Sequence, residues 1–413
     1  MTRFSRVCVM GMGYIGLPTS AVFADNGLDV VGVDVKPAAV ESINRGQPHI
    51  VEPELDVLLR QVVQAGRLRA ALTPEAADAF ILAVPTPFMA GHEPDTSHIE
   101  AAARAIAPVL ARGNLVILES TSPIGTTERL SRWLADARAD LTFPHQAGEL
   151  SDIRIAHCPE RVLPGHILRE VVENDRIIGG LTRKCAQAAT LLYRVFAKGQ
   201  IHLTNARTAE MAKLAENAFR DVNIAFANEL SMICDKLRIN VWELIRLANM
   251  HPRVDILRPG PGVGGHCIAV DPWFIVAADP ERSPLIRTAR EVNEAKPGFV
   301  VEKVRRHAAT LKQPVIACLG LSYKANVDDL RESPAVTIVE ELARGGVGEL
   351  LVVEPHVNAL PENLAKLGLK LWDFDRATER ANILLLLVDH ASFLTVDHDV
   401  VKDKIVVDTR GAW

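Results

Sequence analysis

The fold of this 413-residue chain is decided by residues 6–16, Arg-Val-Cys-Val-Met-Gly-Met-Gly-Tyr-Ile-Gly. Residues 7–10 are apolar and predict a buried strand. The glycines at 11, 13 and 16, which follow this strand, have G-x-G-x-x-G spacing. A helical run over 17–26 and a second strand ending in Asp34 complete a βαβ pattern. Such glycines allow a tight turn and the close approach of a pyrophosphate at the helix N-terminus. We therefore predict a dinucleotide site built by Gly11, Gly13, Tyr14, Ile15 and Gly16.

The acid at the end of the second strand predicts which dinucleotide binds. Asp34 can accept hydrogen bonds from the adenosine ribose, and its charge would repel a 2′-phosphate. We therefore predict NAD, rather than NADP, as the cofactor.

Three further strand-like runs end in hydroxyl-bearing, proline or acidic residues. The runs and the residues that follow them are 79–84 with Thr86, 115–118 with Thr121, and 153–158 with Glu160. Each such end, taken singly, is also typical of an ordinary turn. Ligands of open parallel sheets bind beyond the carboxyl ends of the strands, so three such ends at one edge favour a ligand site.

Residues 260–272, Gly-Pro-Gly-Val-Gly-Gly-His-Cys-Ile-Ala-Val-Asp-Pro, place Cys267 on a glycine-rich loop. A thiol on such a loop can be reached by substrate, and backbone N–H groups there favour its thiolate. The alternative is a tight loop with a cysteine that only packs. The remaining cysteines lie in apolar strand-like or helical runs and are interpreted as reduced packing residues. No cysteine pair has C-x-x-C spacing, so we predict no metal site.

Residues 207–237 contain neither glycine nor proline and predict one long helix, about 45 Å in length. A helix of this length can join two domains and still pack against a second copy, so we expect a homodimer. Lys213 and Asn217 share one face of the helix. The alternative is that Lys213 is a solvated surface lysine.

The last third predicts a second doubly wound sheet from four buried-strand candidates, at 314–320, 350–353, 383–388 and 404–407. It lacks a second G-x-G-x-x-G motif, and Lys324 and Arg331 would suit a phosphate or sugar. Arg253 places positive charge beside the cysteine loop, as a diphosphate requires. The predicted fold is therefore α/β, with two Rossmann-like domains joined by a long central helix. The predicted domains are 1–205 for NAD, 206–300 for dimerisation and the cysteine loop, and 301–413 for a ligand that carries a phosphate or a sugar.

Composition excludes several classes of protein. Apolar content of 48% and charged content of 23% are typical of a globular protein. The net charge of -5 does not indicate a surface that binds nucleic acid. The most apolar run, 383–388, is too short to cross a membrane. The chain enters a strand at once, so we expect no signal peptide, and the cysteine pattern indicates the cytoplasm.

Together these stretches resemble the UDP-glucose/GDP-mannose dehydrogenase family over essentially the whole chain. The resemblance is carried by 11–16, 84–87, 119–128, 159–161, Lys213 with Asn217, 251–272 and 320–334. It implies oxidation of the C6 alcohol of a nucleotide sugar to a carboxylate, with two NAD and a thioester intermediate.

The resemblance also implies a role for each matching residue. Cys267 would attack the C6 aldehyde, and Lys213 with Asn217 would stabilise the oxyanion. Asp271 and Thr121 would hold water near C6, and Glu160 would assist proton transfer. Implied substrate contacts are Glu160, Arg161, Lys213, Asn217, His251, Arg253, Gly264 and Lys324. Thr86, Thr121 and Arg331 are implied for the cofactor, with Arg331 also suited to the nucleotide sugar.

The cysteine loop resembles that of the N-acetylhexosamine branch, which implies UDP-N-acetyl-D-mannosamine as the substrate. The glucosamine and galactosamine epimers stay open, because a few polar contacts read sugar stereochemistry. UDP-glucose is a further alternative, which is weakened by Val270 because UDP-glucose dehydrogenases commonly carry lysine at that position.

Alternatives from other classes are a two-electron dehydrogenase, an epimerase and a non-catalytic NAD-binding protein. A two-electron dehydrogenase of the 6-phosphogluconate type would not need Cys267. A short-chain epimerase would need Tyr-x-x-x-Lys, and Tyr14, Tyr193 and Tyr323 all lack that lysine.

Overall fold

The computed structural model describes residues 4–163, 165–265, 268–395 and 401–413. The chain divides into two compact units, Met1–Glu216 and Asn217–Trp413. Within the described ranges, no helix combines the length and apolar character needed to cross a membrane.

Unit 1 is built on one sheet with the strand order β3-β2-β1-β4-β5-β6-β7-β8, and β7 runs antiparallel to β6. The other neighbouring pairs are parallel. The strands are β1 Arg6–Met10, β2 Asp29–Val33, β3 Leu68–Ala71, β4 Ala79–Leu82, β5 Leu115–Leu118, β6 Arg154–His157, β7 Arg176–Gly180 and β8 Ile201–Asn205.

Helices cover both faces of this sheet. They are α1 Gly16–Asp25, α2 Pro37–Asn44, α3 Leu55–Gln64, α4 Ser97–Ile106, α5 Thr126–Ala137, α6 Pro144–Ala147, α7 Ile167–Glu173 and α8 Arg183–Tyr193. Short 3-10 turns are Ala90–His92, Ala107–Val109 and Gly148–Leu150. Alternate residues of β1 serve different layers, because Val7 and Val9 pack on one face while Cys8 and Met10 pack on the other. Burial on both faces explains why the strands are almost continuously apolar.

The helix α9, Ala206–Leu237, is continuous across the boundary between the two units. Its 32 residues match the predicted long helix over 207–237. The absence of glycine and proline from this stretch explains why it does not break.

Unit 2 contains a parallel sheet with the order β10-β9-β11-β12. Its strands are β9 Val315–Leu319, β10 Glu349–Val353, β11 Ile383–Leu386 and β12 Ile405–Asp408. Its further helices are α10 Val241–Ala248, α11 Asp271–Ala278, α12 Pro284–Ala308, α13 Pro334–Arg344, α14 Glu362–Lys366 and α15 Phe374–Arg380, with a 3-10 turn at Ala391–Phe393. The predicted α/β fold with two doubly wound sheets is confirmed.

Candidate active site

The turn after β1 has the geometry of a dinucleotide cradle. Gly11 has φ +91°, and a Cβ there would lie 2.5 Å from the carbonyl oxygen of Ala83. A Cβ at Gly16 would lie 1.8 Å from the carbonyl oxygen of Gly11, so α1 can begin this close to the strand only with glycine. A Cβ at Gly13 would meet no protein atom within 4 Å. The open face at Gly13 fits the approach of a pyrophosphate to bare backbone.

Asp34 lies just beyond β2 and is held by the backbone on both sides. Its Oδ2 accepts a hydrogen bond from the Met12 N–H at 3.1 Å, and its Oδ1 accepts one from Lys36 N–H at 2.9 Å. A carboxylate offers about four lone-pair positions, so acceptor capacity is left for ribose hydroxyls. Tyr14 packs against the apolar core, and Ile15 directly precedes α1.

Thr86 and Thr121 are brought together at the carboxyl ends of β4 and β5. The Thr86 hydroxyl donates to the carbonyl oxygen of Thr121 at 2.5 Å. Beside them, the Ser120 hydroxyl donates to the carbonyl oxygen of Val84 at 2.7 Å. These bonds tie the two strand ends into one surface.

Glu160 is buried and lies beside a buried arginine. Its Oε1 accepts the Arg161 N–H at 2.6 Å, and its Oε2 lies 3.9 Å from Nη1 of Arg176. The Arg176 guanidinium lies over the rings of Tyr193 and Phe196, at 4.6 Å and 5.3 Å from their centroids. Stacking on aromatic faces suits a buried guanidinium.

A second buried acid, Glu119, belongs to the same cluster. Its Oε1 accepts a hydrogen bond from the Tyr193 hydroxyl at 3.0 Å, while its Oε2 has no partner in the described chain. Burial, and then the charge of Glu160, raise the pKa of Glu119 to about 8 from an ordinary value of 4.5. Glu119 is therefore largely protonated at neutral pH.

Arg161 and Lys213 have contrasting surroundings in unit 1. The Arg161 guanidinium binds Glu216 on α9, with Nη2 to Oε1 at 2.7 Å and Nε to Oε2 at 3.1 Å. Lys213 is half-buried on α9, and its ammonium has no hydrogen-bond or ion-pair partner within the described residues. Arg161 is thus tied to protein, whereas Lys213 keeps its donors for a ligand.

In unit 2, Asn217 and Asp271 are joined directly. The Asn217 side-chain N–H donates to Oδ2 of Asp271 at 2.5 Å, across 54 residues of sequence. Asp271 is buried as the first residue of α11. An acid in the first turn is favoured by the helix dipole.

The glycine-rich loop packs tightly on the stretch before α13. A Cβ at Gly264 would lie 2.5 Å from the carbonyl oxygen of Glu332, and one at Gly265, with φ +84°, would lie 3.0 Å from the Tyr323 ring. A Cβ at Gly262 would lie 2.8 Å from Cβ of Pro334. The glycines therefore permit two sequence-distant motifs to meet. Cys267 itself lies outside the described residues.

The remaining basic candidates are exposed. His251 Nδ1 accepts a hydrogen bond from the Arg253 N–H at 3.3 Å. Arg331 makes paired hydrogen bonds to Asp329, at 2.8 Å and 2.6 Å. Exposed cations can turn from a local partner to a ligand at little cost.

Sequence reasoning missed Glu119, Arg176 and Tyr193. Glu119 carried the same signal as Glu160, namely an acid just after an apolar strand. Arg176 opens the apolar strand β7, where a charge is unusual. Their association depends on contacts over long sequence separations, such as 74 residues from Glu119 to Tyr193.

Glu354, just after β10, repeats in unit 2 what Asp34 does in unit 1. Its Oε2 accepts N–H groups of Leu321 and Ser322 at 2.7 Å and 3.1 Å, from the turn after β9. His390 Nδ1 accepts the Asn326 N–H at 2.9 Å, and its Nε2 lies 3.1 Å from Glu354. Both ring nitrogens of His390 are thus engaged within the protein, while the ring of His356 lies 4.7 Å from that of His390, between centroids. Glu354, His356 and His390 are close enough together to hold a metal ion.

The sheet order and the glycine cradle define a Rossmann-type dinucleotide-binding protein. Successive parts of the chain match the three domains of one protein family. Residues 5–197 match the NAD binding domain of the UDP-glucose/GDP-mannose dehydrogenase family, 207–295 its central domain and 317–413 its UDP binding domain. The chain belongs to the UDP-glucose/GDP-mannose dehydrogenase family.

Individual relatives are similar over nearly their full lengths. The chain is 62% identical over 410 residues to an NDP-N-acetyl-D-galactosaminuronic acid dehydrogenase from Ralstonia nicotianae, covering 99% of this chain and 96% of that protein. It is 59% identical over 403 residues to a UDP-N-acetyl-D-mannosamine dehydrogenase from Campylobacter jejuni, covering 97% and 99%. A solved structure of a UDP-N-acetyl-mannosamine dehydrogenase from Staphylococcus aureus has a TM-score of 0.88 and 42% identity, covering 99% and 95%.

These findings confirm the predicted family and NAD as the cofactor. The protein is a UDP-sugar dehydrogenase that depends on NAD. The glycine cradle and Asp34 fit NAD, because the open face at Gly13 admits a pyrophosphate and Asp34 retains acceptor capacity for a ribose.

Proposed function

We propose that the enzyme oxidises the C6 alcohol of UDP-N-acetyl-D-mannosamine to the carboxylate of UDP-N-acetyl-D-mannosaminuronate. The observation that carries this proposal is the packing of Gly262, Gly264 and Gly265 against Tyr323 and the turn before α13. It supports a cysteine loop built beside the UDP binding domain. The 59% identity to the Campylobacter jejuni enzyme favours the mannosamine substrate.

The reaction we propose has two oxidations and one hydrolysis. Bound NAD supplies the hydride acceptor for each oxidation. The first oxidation removes a hydride and a proton from the C6 alcohol and leaves an aldehyde. The Cys267 thiolate adds to C6, and loss of a second hydride from the thiohemiacetal leaves a thioester. Water then attacks the thioester, which releases the carboxylic acid and restores the thiol.

The described residues suit the roles proposed for them. Lys213 would stabilise the oxyanion at C6 with an ammonium that has no partner within the described residues. Asp271, oriented by Asn217, and Thr121 would hold the water. Glu160 would accept a proton from this water during hydrolysis.

Other proposed contacts divide by ligand. We assign Thr86, Thr121 and Arg331 to the cofactor. For the nucleotide sugar we propose Arg161, His251, Arg253, Gly264 and Lys324. Arg161 is half-buried and paired with Glu216, whereas the other cations among these residues are exposed.

The yield of NADH per limiting UDP-N-acetyl-D-mannosamine, with NAD in excess, tests the proposal. Two NADH per sugar are expected. One NADH would mean that oxidation stops at the aldehyde and would remove the role of Cys267. Cys267→Ala should bind NAD normally but form no carboxylate, and near-normal acid formation would contradict the thioester.

A second candidate substrate is the N-acetylgalactosamine nucleotide. It is favoured by the 62% identity to the Ralstonia nicotianae enzyme, whose name refers to N-acetyl-D-galactosaminuronic acid. The same NADH measurement separates the candidates when UDP-N-acetylgalactosamine, UDP-N-acetylglucosamine and UDP-glucose are compared in parallel. The sugar with the highest kcat/KM identifies the substrate.

We also propose a division into domains 1–205, 206–300 and 301–413, which the successive family matches support. We also propose that the enzyme is cytoplasmic and supplies bacterial surface polysaccharides. A cytoplasmic location would suit the buried free cysteines, which are Cys8, Cys158, Cys185, Cys234 and Cys318.

We propose a homodimer formed along α9. Phe219, Phe226 and Ile233 recur every seven residues and are 73%, 54% and 45% exposed. This spacing gives one apolar stripe along the helix, long enough for a second copy of the same helix. Light scattering should give twice the chain mass, and Phe226→Asp should shift it toward one chain. A wild-type monomer would contradict the dimer.

A further inference from the structure

The cluster beneath Glu160 contains two buried carboxyl groups but one guanidinium. Glu119 is 1% exposed, Glu160 8% and Arg176 5%. Tyr193, fully buried on α8, and Cys158, just beyond β6, are the other titratable groups that face the cluster. One arginine can balance one carboxylate, and a second buried negative charge would be left without a counterion.

Strand geometry explains why these three groups meet. Leu118 of β5 pairs with His157 of β6, so the acids that follow the two strands emerge at neighbouring positions. His157 pairs with Gly179 of the antiparallel strand β7. Continuing this register by three residues brings Glu160 opposite Arg176. Because β7 runs in the reverse direction, its first residue, Arg176, lies at this edge of the sheet.

The hydrogen bonds indicate which acid carries the proton. Glu160 accepts a hydrogen bond from the Arg161 N–H, and its Oε2 lies 3.9 Å from the Arg176 guanidinium. The Oε2 atoms of both acids are buried without a hydrogen-bond partner among the described residues. Among these residues Glu160 alone lies within ion-pair distance of Arg176, whereas Glu119 accepts a hydrogen bond from the neutral Tyr193 hydroxyl. A buried acid without a counterion at that distance favours its neutral form, because ionisation would leave its charge unbalanced.

We propose that Glu119 is a positioning residue that retains a proton, so that Arg176 balances Glu160 alone and Glu160 stays a carboxylate ready to accept a proton from water. The proposal rests on the role of Glu160 in the proposed function. It assigns Glu119 to the hydrolysis step and not to either oxidation.

Ionisation of Glu119 should change the pH dependence of thioester hydrolysis. When Glu119 loses its proton, the added negative charge makes the neighbouring carboxylate of Glu160 a stronger proton acceptor. Thioester hydrolysis in the wild type should therefore gain an alkaline limb near the pKa of Glu119, which burial and Glu160 raise to about 8. Glu119→Gln keeps the size and the neutral charge of the protonated acid but cannot ionise.

The experiment measures acid release from the thioester by rapid quench in the full-length enzyme, with NADH formation followed in parallel. Glu119→Gln should match the wild type within about twofold near pH 6.5 and fall several-fold behind near pH 9. Tyr193→Phe removes a hydrogen bond that lowers the pKa of Glu119, so its alkaline limb should lie at higher pH. Asp78→Asn, an acid-to-amide change at the opposite edge of the sheet, should keep one ratio to wild type at every pH.

The remaining outcomes distinguish failure of the inference about Glu119 from failure of the proposed function. A ratio of Glu119→Gln to wild type that is constant with pH would overturn the inference, while two NADH per sugar would leave the proposed function standing. Normal acid release by Glu160→Gln would instead remove the role of Glu160 and the inference with it. If Glu119→Gln folds poorly, infrared spectra of the wild type decide. The carbonyl stretch of a protonated carboxyl group should disappear above about pH 9, and its absence at neutral pH would overturn the inference.

Discussion

Asp34 shows how one side chain can serve both the fold and the cofactor. Its two oxygens receive backbone N–H groups from Met12 and Lys36, which fixes the carboxylate beside the glycine turn. The same carboxylate faces the expected position of a ribose. Its identity as an acid could be predicted from βαβ spacing, because that pattern is local. Its two backbone partners could not be predicted, because they depend on how the turn after β1 folds against the end of β2.

Asp34→Ala should weaken NAD binding by about 1–3 kcal/mol while UDP-sugar binding changes little. The reason is that the ribose hydroxyls lose their acceptor and the turn loses two restraints. Titration calorimetry with each ligand checks this. An equal loss for NAD and the UDP-sugar would count against a ribose contact.

Glu119 also predicts a pH dependence of stability. A raised pKa in the folded state means that the folded chain binds the proton more tightly than the unfolded chain. The stabilising contribution is complete below about pH 4.5 and is lost as pH rises to about 8. Relative to Glu119→Gln, the wild type should therefore lose on the order of 3 kcal/mol of unfolding free energy between about pH 5 and pH 8. Urea denaturation at both values measures it, and a constant difference would contradict the raised pKa.

At the scale of elements, α9 and α12 are joined by a buried ion pair in unit 2. Arg290 Nη1 lies 2.7 Å from Oδ1 of Asp221, with side-chain exposures of 3% and 0%. Burial raises the pKa of Asp221 more than Arg290 lowers it. Asn293 donates to the same oxygen at 2.8 Å, so the acid is held from two sides.

Arg290→Ala should destabilise the protein by about 3–5 kcal/mol, because a buried acid is left without its counterion. Arg282→Ala provides the matched control, since that arginine is 81% exposed in its pair with Asp279 and should cost below about 1 kcal/mol. Thermal unfolding of both variants makes the comparison. Similar losses would mean that the buried pair contributes nothing beyond its surface counterpart.

Sequence patterns predicted the elements better than their contacts. Apolar runs and helical stretches identified β1, β2 and α9, because period and composition act locally. The reversal of β7 was not predicted, since strand direction depends on the connections and not on the strand's own residues. The Glu119 cluster was missed for the same reason.

At the scale of the whole molecule, each unit has its own sheet and its own apolar core. The NAD binding domain match falls within unit 1 and the UDP binding domain match within unit 2. Each ligand should therefore stabilise mainly the unit that binds it.

Hydrogen exchange should separate the two effects. NAD should slow exchange most around 11–34, and UDP should slow it most around 317–334. The physical reason is that ligand contacts suppress local opening where they are made. Mass spectrometry of peptides from both regions provides the measurement. UDP protection confined to the first region would contradict the assignment of ligands to units.

The double backbone anchorage of Asp34 has a consequence for redesign of the enzyme. An engineer who wanted it to accept NADP would remove this acid to make room for the phosphate. The removal would also leave the N–H groups of Met12 and Lys36 without their acceptor. Cofactor preference is thus linked to the integrity of the turn, and a successful redesign must supply a neutral acceptor at position 34 together with a nearby cation.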